Sequence, residues 1–502
     1  MPARLFRRRR FLAGLGALGA AGLLAACGGS SAPAAAPTTA STGSGAAPPS
    51  APSAAPTTAP AAGGAQPTTA PAGGAATAPA AAAATTPAAA KPATGGAAPT
   101  PLRLHVRLGA EEDLWSQWLP KWEQENNAKV ELVQSPGGEH VQKMQTLIAG
   151  GQLGDVVHNF TGDSSFQLFF ASGVTIPLDK FIADEKYDLN QFYPFTIAIT
   201  KLDGKVGGLP FKGHPSRVGI FYNRTLLEAA GAKVPTNDST YDDLIEAAKK
   251  AHKPDAQQYG WSNPGLDSEW YILMSRFGGS KDIYSKDGTK SQLNDPEVQA
   301  GWTWTYEMFN KHKVGISPFS TNPDINQLFT TGKIALLRAN VGTKAAFAQI
   351  KDFKWGMSVA PKGPKGQRGS LSQADVMGAT KFSKTPDVAW KLVKGLCSKE
   401  AGIILGKQQG GSKSATPGGR PDVYESPDLL NLPFPEDVQK NTMFAMQNAE
   451  PFTQPANYRG PEIQRAIDPL YQELILDKSK ADKAFYDRLH QAVQDILDKP
   501  KP

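Results

Sequence analysis

Leu102-Arg103-Leu104-His105-Val106-Arg107-Leu108 alternates apolar and polar residues, and Leu114, Trp115, Trp118, Leu119 and Trp122 then recur at helical spacing. The first period is that of a strand and the second that of a helix with one apolar face. Val130 to Val133 returns to strand. Val141, Met144, Leu147 and Ile148 mark another helix, and Asp155-Val156-Val157-His158 another strand. Strands alternating with helices predict an α/β fold with a largely parallel sheet. Later helix starts are signposted. Thr240 with Asp243 fits a capping box, and Asp295-Pro296-Glu297 supplies a cap and a first-turn proline. Thr385-Pro386-Asp387 opens a helix carrying Ala389, Trp390, Val393 and Leu396 on one face, and Phe485, Leu489, Val493, Ile496 and Leu497 form a last amphipathic helix. About 400 residues of such pattern exceed one ordinary core, so two lobes are expected.

Upstream of this region the composition changes twice. Arg7 to Arg10 precede an apolar stretch from Phe11 to Ala26, only 16 residues long and interrupted by Gly14, Gly16, Gly19 and Gly22. That is the layout of a secretory signal peptide and too short for a spanning helix. It ends in Leu24-Ala25-Ala26-Cys27-Gly28, which resembles the lipobox of bacterial lipoproteins. In that family the cysteine receives a diacylglyceryl group and becomes the mature N-terminus, so residues 1–26 are expected to be removed and Cys27 lipidated. Arg8-Arg9-Arg10-Phe11-Leu12 also fits the twin-arginine pattern, so general and twin-arginine export both match.

Residues 28–100 are Ala, Pro, Thr, Gly and Ser with one Gln and one Lys. Such a segment cannot bury enough apolar surface to offset its ordering entropy, and a disordered linker is expected over 27–100. As a flexible coil it would reach about 50 Å. The net charge of +7 belongs to the leader and linker: residues 1–100 hold six basic residues and no acidic ones. The rest balances to within one charge, which gives no field to attract nucleic acid or anionic lipid. With Cys27 assigned to lipid, Cys397 has no intramolecular partner and reads as a buried, inert thiol.

In the middle of the chain Phe221-Tyr222-Asn223-Arg224-Thr225-Leu226-Leu227-Glu228-Ala229-Ala230-Gly231 is followed by Pro235 and by Thr240-Tyr241-Asp242-Asp243-Leu244 to Ala247-Ala248-Lys249-Lys250. Asp203-Gly204-Lys205-Val206-Gly207-Gly208-Leu209-Pro210 lies upstream, and Gly332-Lys333-Ile334-Ala335 and Ala389-Trp390-Lys391 to Ser398-Lys399-Glu400 lie downstream. This ordered series resembles the extracellular solute-binding proteins of ABC importers, the sugar-binding type. Gly207 stands where that family commonly has tyrosine, and Tyr241 where it has tryptophan. The resemblance runs from about residue 102 to 498. It implies the two-lobed periplasmic-binding-protein-like (type II) fold, with a hinge crossed near Phe211, Gly369 and Ser412. The lobes would comprise 101–211 with 370–412, and 212–369 with 413–502.

The function implied is capture of a solute, a carbohydrate first, in the cleft between the lobes and delivery to ABC permease subunits. The receptor would act as a monomer on the outer face of the cytoplasmic membrane, held by lipid alone, with no cofactor and no chemistry of its own. A sugar site pairs aromatic platforms with polar partners, many at the carboxyl ends of strands. Glu111 and Glu112 follow the first strand, and His158, Asn159 and Thr161 lie at or just past the third. Trp270 and Tyr271 lie where the family often presents a stacking aromatic. Asn340 follows the Gly-Lys-Ile-Ala element, Gln373 and Asp375 lie just past the second crossing, and Arg420 past the third.

Two other function classes have residues in their favour. Gly162-Asp163-Ser164 with Asp487-Arg488-Leu489-His490 resembles the blocks of secreted GDSL-type esterases, in which Ser164 would be the nucleophile and His490 its base. Against it, Ser165-Phe166-Gln167 departs from the continuation those enzymes show, and His490 falls within an amphipathic helix where it is expected to face solvent. A binding protein for a non-sugar solute is the other alternative. The seven histidines form no i, i+2 or i, i+4 pair, so no metal site is expected.

Overall fold

A computed structural model of the protein covers residues 98–214, 219–263, 265–266, 268–278, 281–319, 324–368, 371–410, 413–451 and 453–502. The leader, Cys27, nearly all of the linker and the hinge crossings expected near Gly369 and Ser412 lie outside these described residues. In chain order the strands are β1 (Thr100–Arg107), β2 (Ala128–Ser135), β3 (Val156–Phe160), β4 (Lys201–Leu202), β5 (Lys205–Val206), β6 (Leu209–His214) and β7 (Gly219–Asn223). They continue with β8 (Tyr259–Ser262), β9 (Ile334–Ala339), β10 (Trp355–Val359), β11 (Leu371–Ala379) and β12 (Glu450–Pro451).

Two sheets carry the molecule. The first has the order β12-β11-β3-β1-β2, with β6 also paired to β11, and the second the order β10-β7-β9-β8. β1 runs parallel to both β2 and β3, as the alternating strands and helices predict. The parallel pattern stops at β11, which is antiparallel to β3 and to β6. In the second sheet only β8 and β9 are parallel. Only strands joined by a covering helix are held to the parallel right-handed crossover; β6 and β11 arrive by other routes and are free of it. The lobe boundary expected between 211 and 212 falls inside β6, and β12, from the 413–502 segment, joins the first sheet.

The alternation in β1 buries Leu102, Leu104 and Val106 against Val156, Trp115, Trp390 and Leu396. Burying side chains of this size contributes about 1.5–3 kcal/mol each. The tryptophan-rich stretch is not one helix. It splits at Trp118 into helices Glu112–Gln117 and Leu119–Glu125, because Pro120 has no N–H to continue the first ladder and is suited to the first turn of the second. All three tryptophans are buried. A second core gathers Trp261, Trp302, Tyr471 and Leu489. There Gly301 lets helix Pro296–Asn310 touch helix Ser268–Ser275: a Cβ would sit 2.1 Å from the Met274 carbonyl oxygen.

The motifs that carried the family resemblance turn out to be local structural devices. Asp203 and Gly204 both have positive φ, 51° and 78°, in a two-residue loop that joins β4 to β5. Asn223 ends β7 and caps helix Arg224–Ala229, its Oδ1 accepting from the Leu226 N–H at 2.9 Å. Gly231, at φ 61°, closes that helix. Thr240 and Asp243 make the expected capping box of helix Tyr241–Ala251. Cys397 is buried behind helix Pro386–Leu396, its Sγ 3.6 Å from the Leu209 carbonyl oxygen, and burial pushes the thiol far up.

Candidate functional site

β1 ends on Arg107, and the segment that leaves it places Glu111 four residues later. Arg107 Nη2 donates to Glu111 Oε1 at 3.0 Å and to Asp375 Oδ2 at 3.3 Å. Glu111 also receives Lys212 Nζ from β6. Asp375, on β11, is approached by His214 Nε2 at 2.8 Å and by His158 Nε2 at 3.1 Å. The ends of β1 and β6 and the middles of β3 and β11 thus converge on two carboxylates that are fully buried, as are Lys212 and His158. Burial alone would push the Asp375 carboxyl up, but Arg107, His214 and His158 outweigh it and hold it well below the carboxylate range. Burial likewise opposes the charge on Glu111, and Lys212 with Arg107 overcomes it.

This cluster backs one wall of an open cleft of about 290 Å³. From the first sheet and its loops come Arg107, Ala110 and His214; from the second come Asn340, Gly342 and Thr343, with Asn326 and Ala346 from neighbouring helices. Lys413 and Ser414 line it from the start of the last segment. Lys413 Nζ bonds Asp113 Oδ1 at 2.6 Å. Asn340 Oδ1 accepts from the Gly342 N–H at 2.7 Å, and Asn326 Oδ1 is buried with no partner among the described residues. A polar cleft between two sheets, just under the size of a typical small-molecule site, can hold an oxygen-rich solute.

Of the residues expected to bind, Asn340 lines this cleft, while Glu111, His158 and Asp375 form the charged wall behind it. Glu112 sits at the rim, exposed, accepting from Gly109 N–H at 3.2 Å. Asn159 points to the other face of the sheet, where both its amide atoms are buried without a partner among the described residues. Thr161 Oγ1 accepts from the Ala374 N–H at 2.9 Å, and Gln373 packs against Gly162. Trp270 and Tyr271 lie in the second core, each 1% exposed. Arg338 lies 5.1 Å over the Trp270 ring, and Tyr271 Oη donates to Asp468. Tyr271 also lines a very small cavity of about 20 Å³ with Asp163, Ser164 and Gly460. Arg420 is held away from the cleft by Asp422, at 2.8 and 2.9 Å, and by Gln191.

Arg107, Lys212, His214, Asn326 and Lys413 are not among the residues that the sequence pattern singles out. Three of these obey the rule that picked the others: Arg107 ends the first strand, and His214 and Lys413 lie just beyond expected hinge crossings. Arg107 belongs to the polar half of the strand's alternation, which hides that the last outward residue of a strand already stands at its carboxyl end. Ser164 Oγ bonds Gln454 Oε1 at 2.5 Å, not a histidine, and Gln454 Nε2 reaches back to the Thr161 carbonyl oxygen. His490 is half-buried on the last helix with its Nδ1 enclosed, not facing solvent as its helical position predicts. Among the described residues no cluster of His, Cys, Asp and Glu could hold a metal ion, and no helix is long and apolar enough to cross a membrane.

Comparison with known proteins agrees with this architecture. A Brucella abortus protein described only as a binding protein is 27% identical over 268 residues, 52% of this chain and 62% of its own length. A lactose-binding protein of Rhizobium radiobacter is 22% identical over 272 residues, 52% of this chain and 58% of its own. The chain thus spans under two thirds of the curated relatives it matches. Among solved structures, a Listeria monocytogenes ABC substrate-binding protein in complex with cycloalternan aligns with a TM-score of 0.69 at 22% identity, covering 79% of this chain and 99% of that one. That likeness is one of fold, the two-lobed type II arrangement. The family model described as bacterial extracellular solute-binding protein matches residues 117–431. That segment is more than half of the sequence and contains the cap-and-turn motifs and every cleft residue except Arg107 and Ala110, and the chain belongs to the bacterial extracellular solute-binding proteins.

Proposed function

We propose that the protein is an exported receptor, held by lipid at Cys27 to the outer face of the cytoplasmic membrane, that captures a carbohydrate between two lobes and passes it to an ABC permease. The observation that carries this reading is the open cleft, to which both sheets contribute polar side chains. The lobes would be 101–211 with 370–412 and 212–369 with 413–502, closing on the solute by a hinge movement. Binding and release then need only hydrogen bonds and a change of lobe angle, so no group has to act as nucleophile or base. The lactose named for the Rhizobium relative supports a carbohydrate as the solute class. The 73-residue linker would let the receptor range about 50 Å from its anchor and keep it near the permease.

A thermal-shift screen of mono- and oligosaccharides with the full-length protein tests this. A binding sugar at 100 times its Kd stabilises by about 2.7 kcal/mol. A flat screen, together with p-nitrophenyl acetate hydrolysis that disappears in Ser164→Ala, would replace the receptor by an esterase.

A further inference from the structure

The cleft wall has an unequal supply of donors and acceptors. Arg107 and Lys413 line it and can only donate, His214 lines it beside them, and among the described residues no carboxylate does. The acids of the neighbourhood are set behind these cations and already engaged: Glu111 and Asp375 by Arg107, Asp113 by Lys413. Acceptors facing the space are few. Asn340 Oδ1 is used by the Gly342 N–H, and Ser414 Oγ shares a hydrogen with Thr416 at 3.0 Å. Asn326 Oδ1, buried and without a partner among the described residues, remains, and Thr343 adds one hydroxyl to the lining. Arg107 Nη2 serves both carboxylates, while its Nε is buried and also without a partner there.

A sugar hydroxyl both donates and accepts, so a wall built for neutral sugars needs acceptors of its own. A carboxylate only accepts, and fits a wall of donors. We infer that the solute carries a carboxylate, being a sugar acid and not a neutral sugar, with that group seated against Arg107 and Lys413. This rests on the carbohydrate reading above and narrows it. Arg107, Lys212 and Lys413 are matched in number by Glu111, Asp375 and Asp113, while burial pushes nearby Asp163 toward its neutral form. A singly charged carboxylate therefore adds less unmatched charge to this partly desolvated site than a dianionic phosphate would.

The test is calorimetric titration of the full-length protein with D-galacturonate and D-glucuronate against D-galactose, D-glucose, D-galactose 1-phosphate and the acyclic acid D-gluconate. The expected result is that one uronate binds at least 10-fold more tightly than its neutral parent, and that 500 mM NaCl weakens the uronate but not the parent. Lys413→Gln is expected to shrink the acid's advantage about 10-fold, the scale of one charge-assisted hydrogen bond. Arg107→Gln should do the same, and Lys413, which is more exposed, keeps the test alive should that variant fail to fold. Neutral parents binding as tightly as the acids overturn the carboxylate and leave the carbohydrate reading standing. Tighter binding of the phosphate also overturns it. Binding of D-gluconate with no cyclic sugar or uronate supports the carboxylate in an open-chain sugar acid, and no binding by any probe overturns both.

Discussion

Lys212→Met removes the ammonium that faces Glu111 while keeping a side chain of similar length in a fully buried position on β6. Two unit charges in hydrogen-bond contact, about 3 Å apart, attract by roughly 5–6 kcal/mol at an effective dielectric of 20. Desolvation of each ion costs several kcal/mol, so the pair as a whole is near balance. Removing one partner is different, because it leaves the Glu111 charge buried with only Arg107 at 3.0 Å to offset it. Breaking such a pair costs about 3–5 kcal/mol, and the remaining guanidinium puts this case near 3. For a folded region of about 400 residues that lowers Tm by roughly 3–4 °C. Urea titration followed by tryptophan fluorescence measures the loss directly. Lys212→Met with Glu111→Gln removes both charges and should return to within about 1 kcal/mol of the native protein. The effect also has a pH signature. The folded state holds Glu111 below its ordinary 4.5, so its contribution is present at neutral pH and is lost as pH falls below that value. The deficit of the single variant should therefore narrow in acid. A loss under 1 kcal/mol, or a double variant that loses the sum of the two singles, would refute the reasoning.

Lys344 is 2% exposed, its Nζ lies 5.3 Å over the Phe434 ring, and burial pulls its ammonium down to about 8 from 10.5. A lysine depressed in this way makes the fold cheaper to keep as pH rises, so Lys344→Met should stabilise by roughly 2–4 kcal/mol at pH 7, a gain that fades between pH 8 and 10.5 in urea titrations. Cys397 should resist a thiol reagent such as DTNB until the protein unfolds, because burial disfavours its thiolate; rapid labelling of the native protein would contradict the burial. The proposed lipid attachment predicts that Cys27→Ser moves the protein from the membrane fraction to the soluble fraction and impairs uptake, with solute affinity unchanged in titration.

What could be read in the sequence was mostly what local rules control. The buried Leu102, Leu104 and Val106, the caps at Thr240 and Asp295 and the apolar face of the last helix appear as expected, since each depends on residues a few positions apart, whereas polar His105 is buried and apolar Leu108 is exposed beyond the strand's end. The split at Trp118 was readable too, in Pro120, but the spacing of three tryptophans outweighed it. The site was less legible. Glu111 is picked out by its place after the first strand and Asp375 by its place past a hinge crossing, yet what makes them a site is Lys212 and His214, which the β6–β11 pairing brings to Asp375, and Arg107, which the β1–β3–β11 pairings bring there. Trp270 shows the opposite case: an aromatic in a suggestive place whose role depends on Arg338, which lies 68 residues on and packs over its ring.

The pairing of β3 with β11 has a consequence for when this protein can fold. Phe160 faces Asp375, so β3 must wait some 215 residues of synthesis before the strand that completes its sheet exists. β6 could not replace it, since β6 joins the sheet only through β11. Until then β1, β2 and β3 form a short parallel ribbon with β3 as an open edge, the kind of edge that invites wrong pairing. Contacts this far apart in sequence also close slowly. The first sheet is therefore a late product of synthesis, assembled only after about three quarters of the sequence has been made, and refolding from denaturant should be limited by the arrival of β11, whatever the helices have done before.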